Sequence, residues 1–194
     1  MKIEEETTRE AAELAEAGRV DCAFVITAMV TEGLDSVPVF RERVLAVLPA
    51  EIASNLPSCA VTGEDEGFPV IDFSAIVGTP FIVMKRGQIF HDYFERIGAE
   101  QGVDLPVILE TQSILTVPAL ISAGLGGALV PSTIADECRA KGIALFSPGS
   151  LLPVNEVSLA WRRARYQSCA AAKFIETARE VLSAMPGGIP AEKS

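Results

Sequence analysis

The segment VILETQSILTVPALISAGLGGALVPS, from Val107 to Ser132, is the most informative about the fold. Its first four residues are apolar or β-prone, and they predict a short buried strand that ends at Glu110. Apolar residues then recur at the spacing of a packed helix face; they are Ile114, Leu115, Val117, Leu120 and Ile121. The glycine-rich residues 124–127 predict the end of that helix, and residues 128–130 predict a second strand. The stretch is therefore interpreted as strand, helix, strand, the right-handed crossover of a parallel sheet.

Thr111 and Ser113 stand between the predicted strand and the predicted helix. Their hydroxyls are of the kind that cap the free N–H groups of a first helical turn. In open parallel sheets, the loop between the end of a strand and the next helix is where small ligands bind. This loop is therefore the first place where the sequence predicts a binding function.

The composition favours a folded chain that does not itself bind membranes or nucleic acid. Of the 194 residues, 49% are hydrophobic, enough for a sizeable core in one domain or in two small lobes. The formal net charge of -10 argues against binding of a phosphate backbone by this chain alone. No apolar run reaches the roughly 18 residues of a membrane span, and the acidic N-terminus lacks the apolar centre of a secretory signal. We expect a cytoplasmic location and no membrane partner.

Cysteine and histidine usage predicts neither a metal site nor a cofactor. The four cysteines, Cys22, Cys59, Cys138 and Cys169, contain no CxxC pair, and reduced thiols are favoured over disulfides. His91 is the only histidine, which leaves no histidine cluster for zinc or iron. It is interpreted as a surface or packed imidazole rather than a catalyst.

Along the chain, predicted strands alternate with predicted helices, which indicates the α/β class. The strands are predicted over 2–5, 20–26, 34–40, 43–48, 81–84, 107–110, 128–130, 143–146 and 154–162. The helices are predicted from Thr7 or Thr8 to 17, over 89–97, over 114–123, from Ser132 or Thr133 to 140, and over 167–184. Thr7 and Glu10 have the spacing of a capping box, and residues 50–68 are predicted to be a loop. The last helix should turn Phe174, Ile175, Ala178, Val181 and Leu182 toward the core. This order implies two lobes, with both chain ends in the first and a ligand in the cleft between them.

Several segments together resemble a known family. They are GRVDCAFV, RERVLAVLP, FPVIDFSAIVGTPFIVM, LETQSILTVPALISAGLGGALVPSTIADE and VSLAWRRARYQSCAAAKFIETARE. The pattern is similar to the effector-binding domain of LysR-type transcriptional regulators over about residues 3–182, and ALISAGLGGALVP is its most specific part.

The resemblance implies a type II periplasmic-binding-protein-like fold, with two α/β lobes joined by two crossover strands. Lobe one would be residues 1–48 plus 151–185, lobe two residues 49–150, and residues 186–194 a flexible tail. A small-molecule inducer would bind in the interlobe cleft and control transcription by the full-length protein, a homodimer or tetramer. Relative to the family pattern, the chain lacks the winged helix-turn-helix and the first strand and helix of the effector domain. DNA would then be read only through a domain that this chain does not contain.

The resemblance also implies where the effector would sit. One place is Thr27 and Ala28, after the strand over 20–26. The others are the turn Lys85, Arg86, Gly87 and Gln88, and the loop Thr111, Gln112 and Ser113. Two helix N-termini and the two cations favour an anionic effector. Two blander alternatives stay open: a solvated basic pair at Lys85 and Arg86, and a capping role alone for Ser113.

Two rival functions share the predicted fold. One is a free-standing solute-binding protein, and the other, less favoured, is an enzyme. The sequence has no nucleophile elbow, no GxxxxGK[ST] loop and no paired acids with a histidine. The glycines of 124–127 follow a helix rather than open one, so they do not indicate a dinucleotide site. We therefore predict no catalytic residue and no enzymatic activity.

Overall fold

The structure is a computed structural model, and it describes residues 2–163, 167–185 and 187–190. Within these ranges the α-helices are α1 Thr8–Glu16, α2 Ala50–Ser54, α3 Ile89–Gln101, α4 Val117–Ser122, α5 Ala135–Ala140 and α6 Cys169–Ser183. The strands are β1 Ala23–Ile26, β2 Leu34–Glu42, β3 Val44–Leu48, β4 Val61–Asp65, β5 Phe68–Ile71, β6 Phe81–Met84, β7 Val107–Thr111, β8 Gly127–Pro131, β9 Ala144–Phe146 and β10 Asn155–Arg162. The α/β class is confirmed. None of the described helices has both the length and the apolar character needed to cross a membrane.

The chain divides into two compact units. The first contains the described residues up to Glu42 and from Val154 onward, and the second contains Arg43–Pro153. The strand over 43–48 therefore does not belong to the first lobe, where the sequence interpretation placed it. It is β3 of the second unit, because its five side chains are all buried within that unit's sheet.

The first unit is a three-stranded antiparallel sheet in the order β1-β10-β2, with a helix on each face. Ala12 and Ala15 of α1 pack against one face, where Ala160 is buried. Ile175 of α6 packs against the other face, where Leu159 is buried. Because Leu159 and Ala160 are consecutive in β10, their side chains point to opposite faces, and the strand is covered on both sides.

The start of α1 and the packed face of α6 can be compared with the sequence predictions. The capping box is present: Glu10 N–H donates to the Thr7 hydroxyl, and Thr7 N–H donates to the Glu10 carboxylate. The predicted core face of α6 is wrong in part, since Phe174 and Val181 are exposed. The face that packs instead contains Ala171, Ile175, Ala178 and Leu182, spaced by three or four residues along one stripe.

The chain termini differ from the expectation. Residues 2–5 form no strand, because Ile3 is their only apolar side chain and it stays exposed. The predicted flexible tail begins with residues that pair to β2. Arg41 N–H donates to the Gly187 carbonyl over 2.8 Å, and Ile189 N–H donates to the Val39 carbonyl over 3.0 Å. Pro186 and residues 191–194 of that tail lie outside the described residues.

Glu42 gives the first unit a pH-dependent stability. It ends β2 opposite Asn155, and burial raises the pKa of its carboxyl while a hydrogen bond with Asn155 acts the other way. The folded chain must then hold a buried carboxylate, which lowers the free energy of unfolding at pH values above the folded-state pKa. This loss of stability shrinks as the pH falls below the folded-state pKa, and it is gone below the ordinary value of 4.5. We expect Glu42→Gln to be more stable than the wild type at pH 7, and the two to converge at acid pH.

Urea unfolding at the two pH values measures this difference. Glu32→Gln is the control, because Glu32 is exposed. Its replacement should leave the difference in free energy of unfolding between the two pH values as it is in the wild type. A Glu42→Gln chain that is less stable than the wild type at pH 7 would contradict the assignment.

The second unit is built on a five-stranded sheet in the order β7-β6-β8-β3-β9. β6 is parallel to β7 and β8, whereas β3 is antiparallel to β8 and β9. Phe81 and Val83 of β6 pack with α3 on one face, and Ile82 and Met84 pack with α4 and α5 on the other. This alternation fills two separate cores from one sheet.

The stretch from Val107 to Ser132 forms the predicted strand, helix and strand, but its burial differs from the expectation. β6 lies between β7 and β8, so the crossover spans a strand that comes earlier in the chain. β7 ends the sheet in the described part of the chain, and Ile108 is 49% exposed where a buried strand was predicted. Leu115, assigned to the packed helix face, is 63% exposed because the first turn is a 3₁₀ helix that shifts the apolar face.

Residues 50–68 are not a loop. They contain α2 and the first strand of the β4–β5 hairpin, which the low apolar content of β4 hides in the sequence. The turn uses Glu66 and Gly67, both at positive φ (46° and 83°). Arg43 fixes the hairpin through ion pairs with Asp65, at 2.7 Å, and with Glu66.

Candidate functional site

Three parallel strands of the second unit end at the same edge of its sheet. β6 pairs in parallel with β7, in a register that places Met84 opposite Thr111. Each of the two strands is followed directly by a turn and then a helix. The carboxyl edge of a parallel sheet is the usual place for a ligand. Lys85–Gln88 and Thr111–Ser113 therefore lie side by side.

The residues Lys85–Gln88, here called the cationic turn, form a compact β-turn. Gln88 N–H donates to the Lys85 carbonyl over 3.2 Å. Gly87, at the third position, has φ +91°, a conformation that other residues adopt only with strain. The sequence Lys-Arg-Gly-Gln thus specifies a turn that presents two cations directly after a buried strand.

Two hydrogen bonds join the cationic turn to the loop after β7. Lys85 N–H donates to the Thr111 carbonyl over 2.9 Å, which continues the strand pairing by one residue. The Gln88 side chain donates to the Gln112 carbonyl over 3.1 Å. The structure therefore brings seven of the nine predicted site residues together: Lys85, Arg86, Gly87, Gln88, Thr111, Gln112 and Ser113.

The capping role predicted for Ser113 is not observed. Its hydroxyl makes no capping hydrogen bond; instead, the Thr111 hydroxyl accepts from Ser113 N–H over 3.2 Å. The Thr116 hydroxyl donates to the Ser113 carbonyl over 2.8 Å and closes the first turn. The helix that follows, α4, has only six residues, so its dipole adds little to anion binding. The positive charge at this edge comes from Lys85 and Arg86.

Arg86 is the cation at this edge for which the structure describes an ion pair. Its guanidinium Nη2 lies 3.5 Å from Glu95 Oε1, and its side chain is 82% exposed. Exposed ion pairs of this length contribute between about 0 and 1 kcal/mol, since water screens them. Glu95 therefore holds Arg86 weakly, and an incoming anion can compete for it.

His91 lies directly behind the cationic turn and is buried, as expected for a packed imidazole. Its Nδ1 is 2.8 Å from the Met84 carbonyl oxygen, and its Nε2 is 3.2 Å from Glu95 Oε1. Sequence reasoning did not connect His91 and Glu95 with the candidate site. The available signal was position: His91 is in the first turn of α3, and Glu95 follows it by four residues on the same helix face.

Thr27 and Ala28 belong to the first unit. They lie in the 3₁₀ turn Thr27–Met29 after β1, and the Thr27 hydroxyl is 2.7 Å from the Ser158 hydroxyl of β10. That hydrogen bond uses part of the hydrogen-bonding capacity of the Thr27 hydroxyl. As effector contacts, Thr27 and Ala28 stay a prediction.

Other parts of the chain offer less for a ligand. An open recess of about 450 Å³ lies between α2 and the segment from Ala75 to Thr79, and Glu51 is the one charged residue in its lining. The four cysteines are free thiols, and burial raises the pKa of both Cys22 and Cys138, which makes them poor nucleophiles. Among the residues that the structure describes, no three His, Cys, Asp or Glu side chains are grouped to hold a metal ion.

The comparison with known proteins identifies the family. The family model for the LysR substrate binding domain matches residues 1–183, nearly the whole chain. The chain belongs to this family. The type II periplasmic-binding-protein-like fold expected from the sequence is thereby confirmed, with the division into two units described above.

Individual relatives of this LysR substrate-binding domain are distant. The HTH-type transcriptional regulator IlvR of Caulobacter vibrioides is 31% identical over 125 residues, which cover 60% of this chain and 41% of that protein. The Synechocystis CcmR regulatory domain in complex with 2-PG has a TM-score of 0.72 at 16% identity, over 93% of this chain and 82% of that one. The effector-binding domain of QuiR in complex with shikimate has a TM-score of 0.67 at 14% identity, over 91% and 78% of the two chains. At such identities the structural likeness shows the fold alone.

The chain spans about half the length of the curated relatives it matches, 41% and 56%. The second of them, from Mycobacterium leprae, is named as a probable hydrogen peroxide-inducible genes activator and is 22% identical over 187 residues. Both names describe regulators of genes. The domain thus has the family's effector-sensing architecture, and the activities of a whole regulator are a matter for proposal.

Proposed function

We propose that this LysR substrate-binding domain binds a small anionic effector at the edge where β6 and β7 end. The observation that carries the proposal is the hydrogen-bonded pair of turns. One contributes two exposed cations, Lys85 and Arg86, and the other contributes the exposed Ser113 hydroxyl. The link from Gln88 to Gln112 makes the two turns a single preformed surface.

The chemistry of this surface suits a carboxylate or a phosphate. The guanidinium of Arg86 presents planar donors that match two oxygens of such a group, and Lys85 adds a second positive charge. Gly87 leaves open space above the turn, since no atom lies within 4 Å of where a Cβ would be. An anion can therefore approach the backbone as well as the side chains.

For the whole protein, we propose a cytoplasmic transcriptional regulator in which this chain controls DNA binding. Support comes from the two relatives named as gene regulators, of which this chain covers 41% and 56%. DNA would be contacted through a domain outside this chain, in a homodimer or tetramer, and no catalytic residue is assigned. The net charge of -10 agrees with DNA contact lying elsewhere.

Replacing Arg86 with alanine tests the effector site. We expect binding of a carboxylate or phosphate probe to weaken roughly 10- to 100-fold, because a charge-assisted hydrogen bond contributes about 1.5–3 kcal/mol. Isothermal titration with shikimate, citrate and inorganic phosphate measures the loss, and the melting temperature without probe should stay unchanged.

Arg96→Ala is the matched control. Arg96 is an exposed cation on α3 that pairs with Glu100 at 2.6 Å and has no described contact with the cationic turn. Its loss should leave affinity for the same probes intact. Equal affinity of the Arg86→Ala chain and the wild type would remove Arg86 from the site.

A further inference from the structure

Residues 187–189, here called the edge strap, follow α6 and lie along the outer edge of β2. Arg41 N–H donates to the Gly187 carbonyl over 2.8 Å, and Ile189 N–H donates to the Val39 carbonyl over 3.0 Å. The other edge of β2 pairs with β10. The strap therefore adds a short further strand to the sheet of the first unit.

Two glycines allow the strap to lie this close to β2. Gly187 has φ +82°, and a Cβ there would collide with the Arg41 carbonyl oxygen. A Cβ on Gly188 would collide instead with the carbonyl oxygens of Leu182 and Ser183, at the end of α6. The glycine pair thus fits a narrow space between the last turn of α6 and the edge of β2.

The strand edge beneath the strap is self-complementary. The strap pairs with it in an antiparallel bridge, in which Gly188 lies opposite Phe40. If a second β2 took the place of the strap, with Phe40 opposite Phe40, each Arg41 N–H would meet the Val39 carbonyl of the other copy. Two copies related by a two-fold axis could therefore satisfy each other's backbone groups. Such an uncovered edge is a template for pairing between chains.

We propose that the edge strap keeps a second copy of this chain from pairing with β2. The strap and the second copy compete for the same donor, Arg41 N–H, and the same acceptor, the Val39 carbonyl. The strap has the advantage because it is tethered to the edge that it covers, which gives it a high effective concentration there. This inference is independent of the proposed effector site, because β2, α6 and the strap belong to the first unit and the cationic turn belongs to the second.

Replacing Gly187 with alanine in the full 194-residue chain tests the competition. The added methyl group should displace the strap, because it would collide with β2 itself. Sedimentation velocity over a dilution series measures the average mass of the variant and of the wild type. We expect the mass of Gly187→Ala to rise with concentration toward about twice that of the wild type, as β2 edges pair. A chain that ends after Met185 lacks the strap and should show the same rise.

Gly67→Ala is the matched control. Gly67 lies in the β4–β5 turn of the second unit, and its φ of +83° is almost that of Gly187. A Cβ on Gly67 would have no atom within 4 Å, so the variant loses the same backbone preference without a collision. Its average mass should follow that of the wild type. If Gly187→Ala and the chain ended after Met185 also followed the wild type at every concentration, the proposal would be wrong.

Hydrogen exchange at the Arg41 amide locates the contact between the copies. In dilute Gly187→Ala this amide has lost its acceptor, and it should exchange about five- to tenfold faster than in the wild type. At high concentration the protection should return, because Arg41 N–H then donates to a second copy. Self-association without these two changes at Arg41 would place the contact elsewhere on the chain and overturn the proposal.

Discussion

Replacement of Phe81 with alanine is expected to lower the free energy of unfolding by about 3–5 kcal/mol, the usual cost of removing a buried phenyl ring. Phe81 begins β6 and is fully buried in the core of the second unit. Its ring centroid lies 6.3 Å from that of Phe73, in the segment before β6, and 5.5 Å from that of Phe94, in α3. The cavity would open beneath the strand that leads into the cationic turn. Urea unfolding measures the loss.

The matched control is Phe24→Ala in β1 of the first unit. Phe24 is 45% exposed, so its removal should cost less than half as much. Similar losses for the two variants would mean that Phe81 is not the centre of its core.

The second large effect is expected at Gly126, within the glycine-rich end of the crossover. Its φ is +155°, and a Cβ there would collide with the carbonyl oxygen of Pro80. That oxygen cannot move away freely, because it accepts a hydrogen bond from Gly127 N–H over 2.8 Å. We expect Gly126→Ala to destabilise the chain by about 2–5 kcal/mol, the sum of backbone strain and overpacking.

Gly124→Ala provides the comparison inside the same four residues. Gly124 ends the helix with φ +79°, but a Cβ there would have no atom within 4 Å. Only the backbone preference is lost, at about 1 kcal/mol. Thermal unfolding of the two variants should therefore differ clearly, and an equal shift in melting temperature would refute the close contact at Pro80.

The candidate site illustrates how far the sequence leads. Lys85–Gln88 was singled out through the resemblance to the family, whereas Thr111 and Ser113 were also marked by their place between a predicted strand and a predicted helix. That the turns share the Gln88 to Gln112 hydrogen bond could not be predicted, because it depends on β7 being the neighbour of β6. The contribution of His91 and Glu95 was missed for the same reason, since a side chain's partner depends on tertiary packing.

The order of strands and helices in this LysR substrate-binding domain could be predicted from the amino-acid sequence. Apolar periodicity, helix caps and terminating glycines each depend on a few consecutive residues, so they can be recognised without the three-dimensional structure. The Thr7 capping box and the strand Phe81–Met84 are examples. Strand pairing and side-chain burial, by contrast, became known from the three-dimensional structure. It moved β3 into the second unit, left β7 exposed at the end of its sheet and placed a buried histidine against the cationic turn. Pairing and burial depend on contacts between residues far apart in the chain, and local patterns carry no record of those contacts.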